Sequence, residues 1–458
     1  MGLPGAIVLS SDPKLTEQIG RRLQQECAIQ VEYAGRDLAA ECSQKLTWVD
    51  LRDWARLQPN ERAQFQRRLE SAHRVIGIFE RGVPLDIAVN ASQLCQAFVE
   101  FPSADSSNLL SVVREAERKT KPRCLSQPRE VKGINNSFVT YTPSLFPALD
   151  ELQIAARHNF TLLLIGETGT GKTYLANLIH ELSPRKDRRF VHVACGALPK
   201  DLLDSELFGH RKGAFTGAEM DKEGKLEAAG DGTFLLDEID VLGMEQQAKL
   251  LRILESGEYE RVGCNETRKL NARTIVASNL SLEQLIEERR FRSDLYFRLK
   301  QVKFEIPPLR NRPLDILPLA IRFIIECSAQ HEIPVACISP EFINVLMAYD
   351  WPGNIRELRN ETRRAVLFCQ DGVVNPKLMT PTVVQDARKR MEQMQMSPSP
   401  SAGLKREVAT TEQEAIEAML RSQNFNRAAT ARALGISRVT LYNKIRKYQI
   451  PLKQQKPR

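Results

Sequence analysis

The chain has 458 residues, 42% hydrophobic and 27% charged, with a formal net charge of +8. That length predicts roughly three domains, and the apolar content lets each bury a core of normal size, while the positive excess is compatible with a polyanionic partner. No apolar run approaches the roughly 20 residues that span a bilayer, and nine scattered cysteines without a CxxC pair argue against a zinc site or a disulfide framework.

The first nine residues are apolar but carry no basic leader, so they read as a first strand and not a secretory signal; the chain is expected to stay in the cytoplasm. Strand-like runs at 6–9, 46–51 and 75–79, with a helix-like run at 15–25, predict a small α/β domain over residues 1–122. Its register resembles a response-regulator receiver, with Asp50 ending the third strand roughly where the phospho-acceptor of such a domain stands. The chemistry of a receiver is incomplete, however. Ser10-Ser11, followed only by Asp12, replaces the acidic pair that holds Mg²⁺, and Phe101-Pro102 replaces Lys-Pro. Little remains to hold a metal or a phosphoryl group, so the domain is expected to bind a protein or a ligand.

Residues 123–136 are charged and rich in turn formers, without an apolar period, and read as a linker. After the apolar run 161–165 comes Gly166-Glu167-Thr168-Gly169-Thr170-Gly171-Lys172-Thr173, and then a helix-like run at 174–179. This is a nucleotide-binding P-loop in its proper setting: glycines let backbone N–H groups turn in around phosphates, Lys172 reaches the β- and γ-phosphates, and the Thr173 hydroxyl is placed to coordinate Mg²⁺. Further on, Glu206-Leu207-Phe208-Gly209-His210 leads into Gly213-Ala214-Phe215-Thr216-Gly217-Ala218. Phe215 sits between glycines in a stretch with neither strand nor helix period, where a large apolar side chain points to contact with a partner. Next, Gly232-Thr233-Phe234-Leu235-Leu236-Asp237-Glu238 is an apolar strand ending in two acids. Asp237 is placed to hold Mg²⁺ through water, and Glu238 to polarise the water that attacks the γ-phosphate. Residues 273–279 form another buried strand, and Asn279 at its polar exit is placed to sense the γ-phosphate.

The hexapeptide Gly213 to Ala218 with its flanks resembles the GAFTGA loop of the bacterial enhancer-binding proteins, the AAA+ activators of sigma-54 RNA polymerase, and the resemblance runs from about residue 162 to 366. It implies that the loop touches the sigma factor and passes on the motion made by ATP hydrolysis. Phe291-Arg292-Ser293-Asp294-Leu295-Tyr296-Phe297-Arg298-Leu299 is similar to the family's arginine-finger segment. This implies that Arg292 and Arg298 reach a neighbouring subunit's nucleotide in a ring, a hexamer in this family. Pro307-Pro308-Leu309-Arg310-Asn311-Arg312 resembles the junction to a helical lid, and Trp351-Pro352-Gly353-Asn354-Ile355-Arg356-Glu357-Leu358 its sensor II, with Arg356 on the nucleotide. The implied layout is an AAA+ P-loop ATPase, an αβα sandwich over residues 137–310, with a helical lid over 311–385. Two positions depart from the family pattern. Ala194 replaces the Asn that restrains the catalytic glutamate, which leaves open a mainly regulatory nucleotide site with weak hydrolysis, and Ser278 replaces a Thr but keeps the hydroxyl.

Residues 386–408, with Ser397-Pro398-Ser399-Pro400-Ser401, read as a flexible linker, and 409–458 as an all-α module. Asn426 can cap a helix over 427–434, Gly435 ends it, and Ser437 can cap a second over 438–447, which makes a helix-turn-helix. Arg427, Ser437, Arg438, Thr440, Tyr442, Asn443, Lys444 and Lys447 are its candidate DNA contacts, in the major groove and on phosphates. The module is similar to the Fis-type domain that ends most members of the family. The function so implied is a sigma-54-dependent transcription activator using ATP and Mg²⁺, with enhancer DNA, the sigma-54 holoenzyme, further copies of itself and a regulatory ligand or protein at the N-terminal domain as partners. An AAA+ helicase or helicase loader is the other alternative, against which the intact GAFTGA loop argues.

Overall fold

The computed structural model describes residues 5–27, 29–33, 45–101, 109–118, 128–197, 199–215 and 218–396. The chain divides into two compact units, residues 1–387 and 388–458. The whole expected helix-turn-helix, with its eight candidate DNA contacts, lies outside the described residues, as do Thr216 and Gly217.

The N-terminal elements run β1 (Ala6–Leu9), α1 (Pro13–Cys27), β2 (Val31–Tyr33), β3 (Leu46–Asp50), α2 (Leu51–Arg56), α3 (Pro59–Ser71), β4 (Arg74–Phe79), β5 (Val83–Pro84), α4 (Ala88–Leu94), β6 (Ala97–Glu100) and α5 (Leu109–Arg118). Strands β2-β1-β3-β4-β6 form one parallel sheet, the 2-1-3-4-5 order of flavodoxin-like doubly wound folds. Val8, Trp48, Ile76 and Val99 from its strands pack with Ile19 and Leu23 of α1 and Val113 of α5.

The segment expected as a linker is in part structured. β7 (Arg129–Lys132) and β8 (Ser137–Thr140) make an antiparallel hairpin, because Val131 and Phe138 both enter the core of the following domain. The turn at its tip is held from afar, with the Glu181 carboxylate accepting from the N–H groups of Ile134, Asn135 and Asn136.

The central domain continues with α6 (Phe146–Ala156), β9 (Leu162–Ile165), α7 (Lys172–Glu181), β10 (Phe190–Ala194), α8 (Lys200–Phe208), the small hairpin β11 (Gly209–His210) and β12 (Lys222–Glu223), and α9 (Lys225–Ala229). Then come β13 (Thr233–Asp237), α10 (Met244–Ser256), a second hairpin of β14 (Glu258–Glu260) and β15 (Thr267–Lys269), β16 (Arg273–Ser278), α11 (Leu282–Glu287), α12 (Ser293–Leu299) and β17 (Val302–Glu305). Its sheet, β10-β13-β16-β9-β17, is parallel throughout. Alternate residues serve opposite faces: Leu163, Ile165, Phe234, Leu236 and Val276 join one core, and Leu162, Leu164, Leu235, Ile275 and Ala277 the other. Burial on both sides is why these strands read as uninterrupted apolar runs, and each large side chain so buried contributes about 1.5–3 kcal/mol.

A helical lid follows: α13 (Pro313–His331), β18 (Cys337–Ile338), α14 (Pro340–Ala348), α15 (Asn354–Leu367), β19 (Val373–Val374) and α16 (Pro381–Met396). The flexible stretch expected from residue 386 is therefore helical through Met396. Among the described residues no helix is long and apolar enough to cross a membrane.

Candidate functional site

Because β13, β16 and β9 are neighbours, the segments leaving their C-terminal ends meet at one edge of the sheet, where α/β folds bind ligands. The P-loop leaves β9, Asp237 and Glu238 end β13, and Asn279 follows β16. The Lys172 ammonium donates to the carbonyls of Gly166 (2.6 Å) and Glu167 (3.1 Å) and to Asn279 Oδ1 (2.7 Å). Burial lowers its pKa, against the opposing pull of Asp237, Asp240 and Glu238. Thr173 Oγ1 donates to Asp237 Oδ2 at 2.9 Å, with His192 Nε2 at 3.4 Å from the same oxygen. Burial raises the Asp237 carboxyl, but hydrogen bonds from His192, Thr173 and the Glu238 N–H, together with Lys172, bring it below the usual range. Asp240, which sequence reasoning missed, fixes Asn279 by accepting from its N–H (2.8 Å) and from Ser278 Oγ (3.1 Å).

The lid closes onto this edge through the 307–312 and 351–358 segments. The Glu167 side chain, expected among the phosphate-binding set, pairs instead with Arg310 at 2.5 Å, which holds its carboxyl below the usual range. Buried Asn354 donates to the carbonyl of Thr168 and to Glu167, and accepts from the Leu309 N–H. Gly169 O accepts from the N–H groups of Ile355 and Arg356. A Cβ on Gly169 would lie 2.3 Å from the Gly353 carbonyl oxygen, so this glycine, at φ 81°, serves the approach of the lid as well as the turn. Arg312, fully buried, donates to Thr170 O at 3.1 Å, and Asp315 beside it accepts from Thr140 Oγ1 and the Tyr141 N–H.

Between the two lies a cavity of about 440 Å³. Residues 168–173, Asp237, Glu238 and Asn279 line it together with apolar Phe138, Val139, Leu319, Phe323 and Ile355 and with Arg322, Arg356, Arg359 and Arg363. A lining both apolar and cationic fits a purine nucleoside polyphosphate. Val139 and Phe138 come from β8, in the hairpin whose first strand sequence reading placed in the linker. Arg292 and Arg298 do not line this cavity. Arg292 pairs with Asp294 at 2.7 Å, and exposed Arg298 donates to the Leu254 carbonyl at 2.7 Å.

Glu238 occupies left-handed backbone, at φ 59°. Ala194 offers it no donor, and no described side chain hydrogen-bonds its carboxylate. Its seat is made by an absence: a Cβ on Gly196 would lie 2.1 Å from Glu238 Oε2. Gly196→Ala should therefore displace the carboxylate and lower turnover about 10- to 100-fold, as misplacements near 1 Å do, with nucleotide affinity unchanged. Steady-state kinetics beside a binding titration check this, and an unaltered kcat would count against Gly196 as the seat.

Phe215 lies in the connection between β11 and β12. Gly213, at φ 80°, donates its N–H to Ala218 O, and Ala218 N–H donates to Phe215 O. Ala218 is buried, whereas Phe215 is 37% exposed and lies edge-on to His210, ring centroids 4.9 Å apart. His210 in turn is held by Ser205 Oγ at 2.7 Å.

In the N-terminal domain, buried Asp50 is bound by neighbouring groups. Ser10 Oγ donates to it at 3.0 Å, and the Arg52 guanidinium at 3.1 and 2.8 Å, while its side chain also caps α2. Arg52 also donates to Glu80 at 3.0 Å and lies 3.6 Å from Asp12. A fixed cation thus sits on the acid, and the hydrogen bonds raise the Arg52 pKa against a smaller effect of burial.

Residues 138–305 match the family model of the sigma-54 interaction domain, residues 310–396 that of the AAA+ ATPase lid domain, and residues 407–448 that of the bacterial regulatory protein, Fis family. The chain is 40% identical over 312 residues to a Nif-specific regulatory protein of Azotobacter vinelandii, covering 68% of this chain and 59% of that one. It is 39% identical over 312 residues to the regulatory protein AtoC of Escherichia coli, covering 68% of each. With the DNA-binding transcriptional activator HyfR of Escherichia coli it shares 37% identity over 363 residues, 77% of this chain and 53% of that one. The chain thus spans between about half and two thirds of the length of these relatives.

Proposed function

The chain belongs to the sigma-54-dependent enhancer-binding proteins, and from that premise we propose that it binds enhancer DNA, assembles into a ring in the cytoplasm and hydrolyses ATP to remodel the closed sigma-54 RNA polymerase complex. The observation that carries this reading is the convergence of Lys172, Thr173, Asp237, Glu238 and Asn279 on one cavity, in the same domain as an exposed aromatic loop. Thr173 and Asp237 offer the oxygen donors that suit Mg²⁺, which completes its shell with water and phosphate oxygens. Bound there, the ion would neutralise charge on the β- and γ-phosphates. Lys172 would hold those phosphates, Asn279 would register the γ-phosphate, and Glu238 would orient and deprotonate the attacking water.

Arg322, Arg356, Arg359 and Arg363 stand around the subunit's own cavity, whereas Arg292 and Arg298 stand outside it. Supplied to a neighbour's site, they would tie hydrolysis to ring assembly. Arg298→Ala and Arg292→Ala are each expected to lower turnover at least ~10³-fold, the usual worth of an arginine finger, and to leave nucleotide binding intact. Mixing Arg298→Ala with a Lys172→Ala variant should then restore part of the activity, since one subunit type keeps each half of the site. Two inactive variants that stay inactive together would refute sharing.

The unrestrained Glu238 carboxylate favours a second reading, a DNA-bound regulator whose nucleotide site serves mainly for binding. ATP-dependent strand opening at a sigma-54 promoter separates the two. Opening supports the first reading, and no opening by DNA-bound, ATP-saturated protein supports the second.

A further inference from the structure

The lid's two parallel strands, β18 and β19, leave one edge of β18 free for a third. That place is taken by β5 of the N-terminal domain, antiparallel, with Val83 opposite Ile338 and Pro84 opposite Cys337. The Leu85 N–H donates to Ala336 O at 3.2 Å. Pro84, which has no N–H, occupies the non-hydrogen-bonded position of this register, so the strand is paired as fully as its sequence permits. Val83, Ile338 and Val374 are fully buried. Gly82 leaves no room for a side chain, since a Cβ there would meet Ile338 O at 2.9 Å. Helix α4, just beyond the strand, packs on α13.

The same lid holds the nucleotide cavity, through Leu319, Arg322 and Phe323 of α13 and Ile355 and Arg356 of α15. The start of α15 is hydrogen-bonded to Gly169 of the P-loop.

We propose that the N-terminal domain is joined to the lid by strand addition, and that it acts on ATP by holding the lid in the orientation that puts Arg356 against the P-loop. A signal reaching the domain would thereby change ATP affinity before it changes the chemical step. This rests on the proposed function only in taking ATP as the ligand.

Residues in a non-hydrogen-bonded antiparallel pair have Cβ atoms about 4.5–5.5 Å apart, near the reach of a disulfide. In the full chain, Pro84→Cys should form a disulfide with native Cys337 under mild oxidation, identified by peptide mass spectrometry and absent when Cys337→Ser is added. It should form at least as readily with a non-hydrolysable ATP analogue as without, since docking and ATP binding favour each other reciprocally. Val83→Asp, which places a charge in the buried joint, should weaken binding of a fluorescent ATP analogue at least ~5-fold, the lower end of ordinary coupling between sites. Oxidised Pro84→Cys added to Val83→Asp should recover the affinity, which separates undocking from misfolding. No disulfide, or undocking without a change in ATP affinity, would overturn the proposal. Because only binding is read, failure of the hydrolytic function would leave these results interpretable.

Discussion

Glu238→Gln should bind ATP as tightly as the parent protein and turn it over about 10³-fold more slowly, the scale of losing a catalytic base with its electrostatic contribution. The amide keeps the shape of the side chain, so the seat over Gly196 stays filled, but it can neither accept a proton nor orient water by charge. Binding depends on other groups. Lys172 and Asn279 are joined at 2.7 Å, and Thr173 and Asp237 at 2.9 Å, and none of these touches the Glu238 carboxylate. A coupled ATPase assay and a nucleotide titration read the two quantities separately. Turnover within tenfold of the parent would mean that another group is the base.

Phe215→Ala should uncouple the two activities: ATP turnover within about twofold of the parent, and sigma-54 promoter opening reduced at least ~30-fold, the cost of an aromatic hot spot worth 2 kcal/mol or more. The separation follows from the structure. Phe215 is absent from the cavity lining, and its ring neighbour among the described residues, His210, belongs to the base of the loop. Loss of the ring therefore leaves the cavity intact. Equal loss of turnover and opening would instead make Phe215 a structural residue of the ATPase.

What could be seen in advance divides by distance along the chain. The P-loop, the acids ending β13 and the polar exit of β16 were legible because each packs its chemistry into a few consecutive residues beside a doubly buried strand. Partners far apart gave no signal: Glu167 with Arg310, Thr168 with Asn354, and Thr140 with Asp315 are separated by more than 140 positions. The β7–β8 hairpin escaped notice because one turn-rich stretch, Gly133 to Asn136, is stabilised by Glu181 from another helix. Two-residue strands such as β5 and β18 carry no period at all, and a proline in one of them argues against a strand. The receiver-like position of Asp50 and the lack of an acidic pair after β1 are both legible in the sequence. That Arg52, two residues on, would lie over it depends on the turn into α2, which sequence does not specify.

Protein trapped with ADP and aluminium fluoride, a mimic of the transferring phosphoryl group, addresses the central claim most directly when mixed with purified sigma-54 factor and resolved by gel filtration. A stable complex is expected with the mimic, weak or no complex with ADP alone, and none with the Phe215→Ala variant. Trapped protein that never co-elutes with the sigma factor would contradict the conversion of ATP hydrolysis into movement of the Phe215 loop.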